Sequence, residues 1–191
     1  MRRLITFCVV AVLTVASGSA QADMSVINFD SLADGIVIDD EFSGIGADFN
    51  GDATVIGSLS YLFPPYSGSK VIWNYPSYNI QVDAVGPEWL MAGGYVTGTD
   101  TVILTAYDSS NILLGTDSTS GANTSDYGID KTNKFLSVTA PNIAYVEFSI
   151  INSGTIFTID DFTFVQVPVP AAVLLGMLGL GVAGLKLRKF V

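Results

Sequence analysis

Short runs of alternating apolar and polar residues recur from residue 23 to residue 166, with turn-formers between them. The segments SVINF, ATVIGSLSYLF, KVIWNY, NIQVDAV, TVILTAY, NILLGT, FLSVTA, IAYVEFSI and TIFTI are rich in β-branched and aromatic side chains. Gly, Asn, Asp, Ser and Pro break them at intervals of roughly 8–12 residues, the rhythm of an all-β domain. Val102, Leu104 and Ala106 fall on one side of a strand. Val146, Phe148 and Ile150 do the same, with Tyr145, Glu147 and Ser149 on the other side. A period of two with one apolar side predicts strands that face a core on one side and solvent on the other. No helical window stands before residue 168, and residues 107–111 and 123–128 read as turn-rich loops. The expected fold class is all-β, an antiparallel, jelly-roll-like β-sandwich of about eight to ten strands.

Both ends depart from this pattern. Arg2 and Arg3 precede an apolar stretch at residues 4–16, and Ala20 and Ala22 then supply a small-x-small cleavage site. This predicts a secretory signal peptide over residues 1–22, too short in its apolar core to span a membrane. At the other end, residues 167–185 carry no charge. As a helix these nineteen residues would reach ~28 Å, close to the ~30 Å of a bilayer's hydrocarbon core. Pro168 and Pro170 stand at the entry, where a missing N–H costs little. Lys186, Arg188 and Lys189 follow and place the C-terminus in the cytoplasm. Four glycines (Gly176, Gly179, Gly181, Gly184) would weaken a water-soluble helix but are tolerated in lipid. A single C-terminal transmembrane helix in the inner membrane is expected, with a β-sandwich domain over residues 23–166 on its outer side.

The tail resembles a known class. Val167-Pro168-Val169-Pro170-Ala171, the apolar span behind it and the terminal basic cluster resemble the PEP-CTERM sorting signals, in their VPLPA-type variant. The resemblance implies that an exosortase, an integral-membrane cysteine protease, recognises the motif and processes the tail on the way to the cell surface. It also implies a Gram-negative bacterium that makes exopolysaccharide and biofilm matrix. Val169 stands where the commonest pattern has Glu. The body is similar to secreted jelly-roll domains often found ahead of this signal. The similarity is carried by Phe29-Asp30-Ser31-Leu32-Ala33-Asp34-Gly35, by LTAYDSSNILLGT and by Phe157-Thr158-Ile159-Asp160-Asp161-Phe162-Thr163-Phe164. It implies a fold like that of carbohydrate-binding and galactose-binding-like modules.

Composition narrows the chemistry. The chain has no histidine, and its one cysteine, Cys8, lies inside the expected signal peptide. Thiol and imidazole catalysis and thiolate metal sites are therefore absent from the mature chain. All 18 acidic residues lie between Asp23 and Asp161, against Lys70, Lys131 and Lys134, which leaves a net 15 negative charges there. Such a surface repels nucleic acid and attracts divalent cations and basic partners.

Few candidate sites remain. Phe157 and Ile159 have one parity and Phe162 and Phe164 the other, so burying all four requires a bulge at Asp160-Asp161. If first and last strands lie close, Asp30 joins this pair, and three carboxylates with backbone carbonyls form an oxygen-only set suited to Ca²⁺. The alternative is that these aspartates hydrogen-bond backbone. Asp48, Asn50 and Asp52 have calcium-loop spacing but lack the Gly and Glu that such a loop needs, so a turn between strands is expected. Ser67 and Lys70 match S-x-x-K without its companion motifs. Carboxylate pairs for glycoside hydrolysis are scarce, with glutamates only at Glu41, Glu88 and Glu147. Asn123-Thr124-Ser125 is a formal sequon. Tyr61, Tyr66, Trp73, Tyr75, Tyr78 and Trp89 cluster between prolines. Tyr66, Tyr75 and Tyr78 are the expected loop-borne rings for stacking on sugars, and Trp73 is expected in the core.

The function expected from these features is that of an exported, non-enzymatic cell-surface or extracellular-matrix protein. It would be adhesive or carbohydrate-binding, with exosortase, the inner membrane and extracellular polysaccharide as partners and no nucleic acid. The alternatives are a secreted hydrolase acting on polysaccharide and a permanently membrane-anchored envelope protein. An assembled carboxylate pair in a cleft would favour the hydrolase; the fate of the tail separates the anchor.

Overall fold

Period-two segments leave one apolar side per strand, and two sheets bury those sides against each other. The computed structural model describes residues 22–57, 61–75, 77–128, 131–152 and 154–166 of the chain. Residues 1–21 of the expected signal peptide and the whole C-terminal segment, with Val167, Pro168, Val169, Pro170 and Ala171, lie outside the described residues. The strands are β1 (Met24–Ile27), β2 (Val37–Ile38), β3 (Ala47–Asp48), β4 (Ala53–Gly57), β5 (Lys70–Trp73) and β6 (Ile80–Ala84). They continue with β7 (Trp89–Gly98), β8 (Val102–Tyr107), β9 (Leu113–Ser118), β10 (Lys134–Ile143), β11 (Tyr145–Ile150) and β12 (Phe157–Gln166). Two short 3-10 turns, Ser43–Ile45 and Ser125–Tyr127, are the helical elements among the described residues. None of the described residues forms a helix long and apolar enough to cross a membrane.

Every pairing is antiparallel. The larger sheet runs β10-β7-β12-β5-β4-β2, and the smaller runs β3-β6-β11-β8-β9. One side of β12 pairs with β7 along its length, while the other is shared: β5 takes Thr158 and Ile159, and β1 takes residues 162–165. From β5 onward the chain crosses between the sheets at each step except the β8–β9 hairpin. This is the expected antiparallel β-sandwich.

The core lies between the sheets and is aromatic. Phe148 of β11 meets Phe162 of β12 edge to face, with centroids 6.3 Å apart, across the sandwich. Phe49 meets Phe162 at 5.6 Å, and Trp89 tilts over Phe164 at 5.0 Å. Such pairs contribute about 0.5–1.5 kcal/mol each beyond the area they bury. The inward positions are those the alternation selects: Val102, Leu104 and Ala106, then Val146 and Phe148, are buried.

Two elements differ from expectation. β7, a ten-residue strand between β10 and β12, has no alternating run in its sequence, WLMAGGYVTG. Its glycines are required by close packing: a Cβ at Gly93 would fall 2.3 Å from the Leu136 carbonyl oxygen. The pattern that would mark a strand is thus removed by the fit that makes it central. In the other case, ATVIGSLSYLF reads as one strand to Phe63, but β4 stops at Gly57. Residues 61–63 belong to the connection to β5, whose later part lies on the outside of the larger sheet.

Candidate functional site

That connection between β4 and β5, described over residues 61–69, is held down by aspartates from both ends of the chain. At its start, the Asp34 carboxylate accepts the Gly57 N–H. Midway, Asp160 Oδ2 accepts the N–H groups of Tyr66 (2.7 Å) and Ser67 (2.9 Å). Ser67 Oγ donates to Asp161 Oδ1 at 2.8 Å. At its end, Asp30 Oδ1 accepts the N–H groups of Ser69 (2.7 Å) and Lys70 (3.0 Å). Lys70 Nζ reaches the carbonyls of Asp30 (3.1 Å) and Leu32. Gly68, at φ +59°, lies so close to Asp30 that an added Cβ would sit 1.6 Å from Oδ2. Only glycine fits there.

The bulge predicted from parity is present. The β12–β7 register shifts between Asp160 and Thr163, and Asp161 takes φ +45°, a left-handed conformation that Asp tolerates. The shift buries Phe157, Ile159, Phe162 and Phe164 together and leaves Asp160 on the opposite, outer side of the sheet. Asp160 is nevertheless only 1% exposed, because the 61–69 connection covers it. Burial pushes its carboxyl above the ordinary value, aided by the Asp161 charge and opposed by the N–H bonds it accepts. Asp30 shifts the other way, lowered chiefly by the Ser69 N–H.

These contacts engage the three residues of the expected calcium site. Asp30, Asp160 and Asp161 do gather on one connection, where each accepts N–H or O–H donors. Among the described residues no group of three or more His, Cys, Asp or Glu side chains is placed to hold a metal ion.

The clamped connection delivers aromatic rings to the outer face of the larger sheet. Strand pairing aligns Asp160 with Tyr95 of β7, and Tyr95 with Phe135 of β10, so these share that face. Tyr66 lies flat on Tyr95, with centroids 3.4 Å apart and planes 8° from parallel, and Tyr95 in turn tilts against Phe135 at 4.9 Å. The adjoining Tyr66 hydroxyl, then burial and the Asp161 charge, hold the Tyr95 phenol up at about 12. A second pair stands one row along and two strands away. Trp73 of β5 pairs with Thr158 and Thr54, and Tyr75 stacks on it at 5.2 Å. Strand spacing and rise put the two pairs about 12 Å apart.

Tyr66, Tyr75 and Tyr78 are 51%, 60% and 63% exposed. Two of the three expected rings are thus backed by a second ring that fixes their orientation. Tyr78 is tied through its backbone, its carbonyl accepting Asn74 Nδ2 at 3.2 Å. Tyr75 is fixed likewise, its carbonyl accepting Thr54 Oγ1 at 2.5 Å. Trp73 is a correction: it lies outside the core cluster, half-buried on the outer face under Tyr75, because its parity on β5 is opposite to that of the buried Ile72. Sequence reasoning missed Tyr95 and Phe135. Their strands were unrecognised or read only for their buried side, and the outward parity of FLSVTA was the one available signal for Phe135.

The remaining motifs are structural. Asn50 (φ 56°) and Gly51 (φ 74°) make the turn from β3 to β4, where Asp48 Oδ1 accepts the Asn50 N–H at 3.0 Å. Asp52 accepts Ser77 Oγ at 2.8 Å. Ser67 and Lys70 spend their polar atoms on Asp161 and on main-chain carbonyls, as above. Asn123 is buried, bonded to Gly98 N–H (2.7 Å) and Val96 carbonyl (2.8 Å), where it extends the edge of β7.

No protein-family model and no curated protein matches the sequence. Among solved structures, the chain is similar to the K2 cleaved adhesin domain of Lys-gingipain, at 15% identity over 74% of this chain and 99% of that one, with TM-score 0.42. It is similar to a DUF4465 family protein from Bacteroides caccae at 11% identity, 76% and 100% coverage and TM-score 0.48. It is also similar to a mutant family 29 carbohydrate-binding module, at 12% identity, 76% and 93% coverage and TM-score 0.40.

Proposed function

We propose that this is an exported, non-enzymatic surface or matrix protein that binds extracellular polysaccharide through the outer face of its larger sheet. The observation that carries the reading is the pair of ring stacks on one face, Tyr66 on Tyr95, with Tyr66 held by the connection that four aspartates clamp, and Tyr75 on Trp73 at the end of β5. Rings fixed before binding lose little rotamer entropy when a flat apolar surface settles on them, and their hydroxyls remain wet. The C–H faces of a pyranose match that chemistry. The four carboxylates of the clamp each accept donors from the connection they hold, a tethering use that suits a binding face.

The tail supplies the address in this reading. Val167, Pro168, Val169, Pro170 and Ala171 serve as an exosortase recognition motif, the apolar span holds the chain in the inner membrane, and processing releases the sandwich to the surface. This part rests on the sequence alone.

Two measurements test the two halves. Protein recovered from the cell surface is expected to lack Lys186 to Val191 by intact mass; a full-length mass leaves a permanent anchor instead. The same protein is expected to be retained by its host's matrix polysaccharide, and Tyr66→Ala with Tyr75→Ala to abolish retention at unchanged thermal stability of the core. Retention that survives the double substitution removes the ring-stacking site.

A further inference from the structure

The face described above has a charge pattern that selects among glycans. By the strand registers the outward positions between the two stacks, among them Thr54, Thr97 and Thr158, are uncharged. The acids set against this face are Asp160 and Asp161, with Asp30 and Asp34 at the two ends of the connection. Among the described residues none of the three lysines is set against Asp160 or Asp161. The Lys70 ammonium is held by the Asp30 and Leu32 carbonyls. Lys131 and Lys134 line a separate cleft with residues 118–123, and Lys134 has the parity opposite to that of Phe135. The whole body carries a net 15 negative charges.

Asp161 lies beside the stacked pair. One of its oxygens accepts Ser67 Oγ, the residue after Tyr66, and its field reaches the Tyr95 phenol. It is half-buried, so part of its acceptor capacity faces solvent beside the stacked pair. A sugar hydroxyl can donate to it. A uronate or sulfate meets a like charge at short range with no counter-ion on the protein, an arrangement that costs affinity and slows encounter.

Resting on the polysaccharide-binding reading, we propose that the ligand is a neutral polysaccharide laid obliquely across β5, β12 and β7, and that Asp161 excludes anionic chains. The direction follows from the two stacks, which are offset by two strands and one row. Binding is governed by stacking and hydroxyl hydrogen bonds, so it is nearly independent of salt. Recognition of an anion by lysines would weaken steeply as salt rises.

The test is affinity electrophoresis of the full chain in a mild detergent, with polysaccharides cast into the gel. A neutral panel of galactan, mannan and glucan is run beside polygalacturonate and alginate, each at low and at physiological ionic strength. Retention by at least one neutral polymer, unchanged by salt and at least tenfold stronger than by either polyuronate, is the expected result. Asp161→Asn preserves the left-handed backbone, which Asn tolerates, and keeps an oxygen for Ser67 Oγ. It is expected to narrow the neutral-to-anionic ratio at low salt severalfold. Retention by the polyuronates equal to or stronger than by neutral chains overturns the neutral-ligand inference yet keeps polysaccharide binding. An unchanged ratio in Asp161→Asn overturns the role of that residue. Retention by no polymer in either panel overturns the function proposed above.

Discussion

The two outer faces of the sandwich are made by the same period-two strands, yet they carry opposite chemistry. On the smaller sheet the outward row holds Asp48, Asp83, Tyr145 and Tyr107, with Glu147 one row along. Tyr107 and Tyr145 stack there too, at 4.8 Å. No connection crosses that pair: both rings belong to strands, with acids around them, and burial with the nearby Tyr107, Glu147, Asp83 and Asp108 raises the Tyr145 phenol. On the larger sheet the exposed rings ride on the 61–69 connection and the β5–β6 turn, and the acids beneath are spent on tethering. A stacked tyrosine pair is therefore not a site in itself. The difference lies in what the acids do: on one face they solvate the surface, on the other they fix a loop that presents rings.

The contrast is most strongly broken by removing a tether. Asp160→Ala leaves the N–H groups of Tyr66, Ser67 and Asp161 without their acceptor under a covered surface. A loss of about 3 kcal/mol of unfolding free energy is expected in urea titration, together with loss of glycan retention. Asp83→Ala on the smaller sheet is expected to cost under about 0.5 kcal/mol. Equal losses from the two would erase the distinction.

Gly68→Ala comes next. It adds both a positive-φ strain of about 1–3 kcal/mol and the clash with Asp30. Gly86, at φ +87° between β6 and β7, has no neighbour within 4 Å of an added Cβ. Gly86→Ala carries the strain alone, so the excess cost at Gly68 measures the tether.

The pH dependence separates the two clamps. Asp160 is raised above 3.8, so the fold holds a proton the unfolded chain has released. Its contribution to stability therefore falls as pH rises from 3.8 through the folded value. Asp30 is lowered from 3.8: its contribution is present above that value and is lost as pH falls through the folded one. Asp160→Asn is expected to remove the decline above 3.8 and leave the loss below it, as read from unfolding curves across the acid range. A decline that persists in Asp160→Asn contradicts the assignment.

The smallest effect concerns calcium. A site filled at 100 times its Kd would add about 2.7 kcal/mol. The three aspartates here are occupied by protein donors, and millimolar Ca²⁺ is expected to leave the melting temperature unchanged. A clear upward shift lost in Asp160→Asn would restore the metal reading.

Much of this architecture was legible in the sequence because alternation and burial are the same constraint. The inward sets at 102–106 and 146–148, the bulge at Asp160-Asp161 and the exposed Tyr66, Tyr75 and Tyr78 all follow from parity and turn chemistry. The illegible parts have physical causes. β7 hides because Gly93 and Gly94 replace the side chains that would display its period, to let neighbouring backbone approach. Trp73 misleads because apolar bulk marks a core and a ring platform alike, and only strand register decides which side it takes. The fate of Asp30, Asp34, Asp160 and Asp161 was illegible because their partners are backbone N–H groups. Such donors have no residue type, so no sequence pattern announces a loop tether; three of the four, Asp30, Asp160 and Asp161, also read as metal ligands.

Retention by polysaccharide, compared between matched pairs of tyrosines, tests the central claim most directly. Tyr66→Ala with Tyr75→Ala is set against Tyr107→Ala with Tyr145→Ala, both in the full chain and against the same neutral polymer. The first pair is expected to lower affinity at least tenfold, about 1.4 kcal/mol, and the second to leave it unchanged. Equal retention by the two variants, or loss confined to the second, would contradict a binding face on the larger sheet.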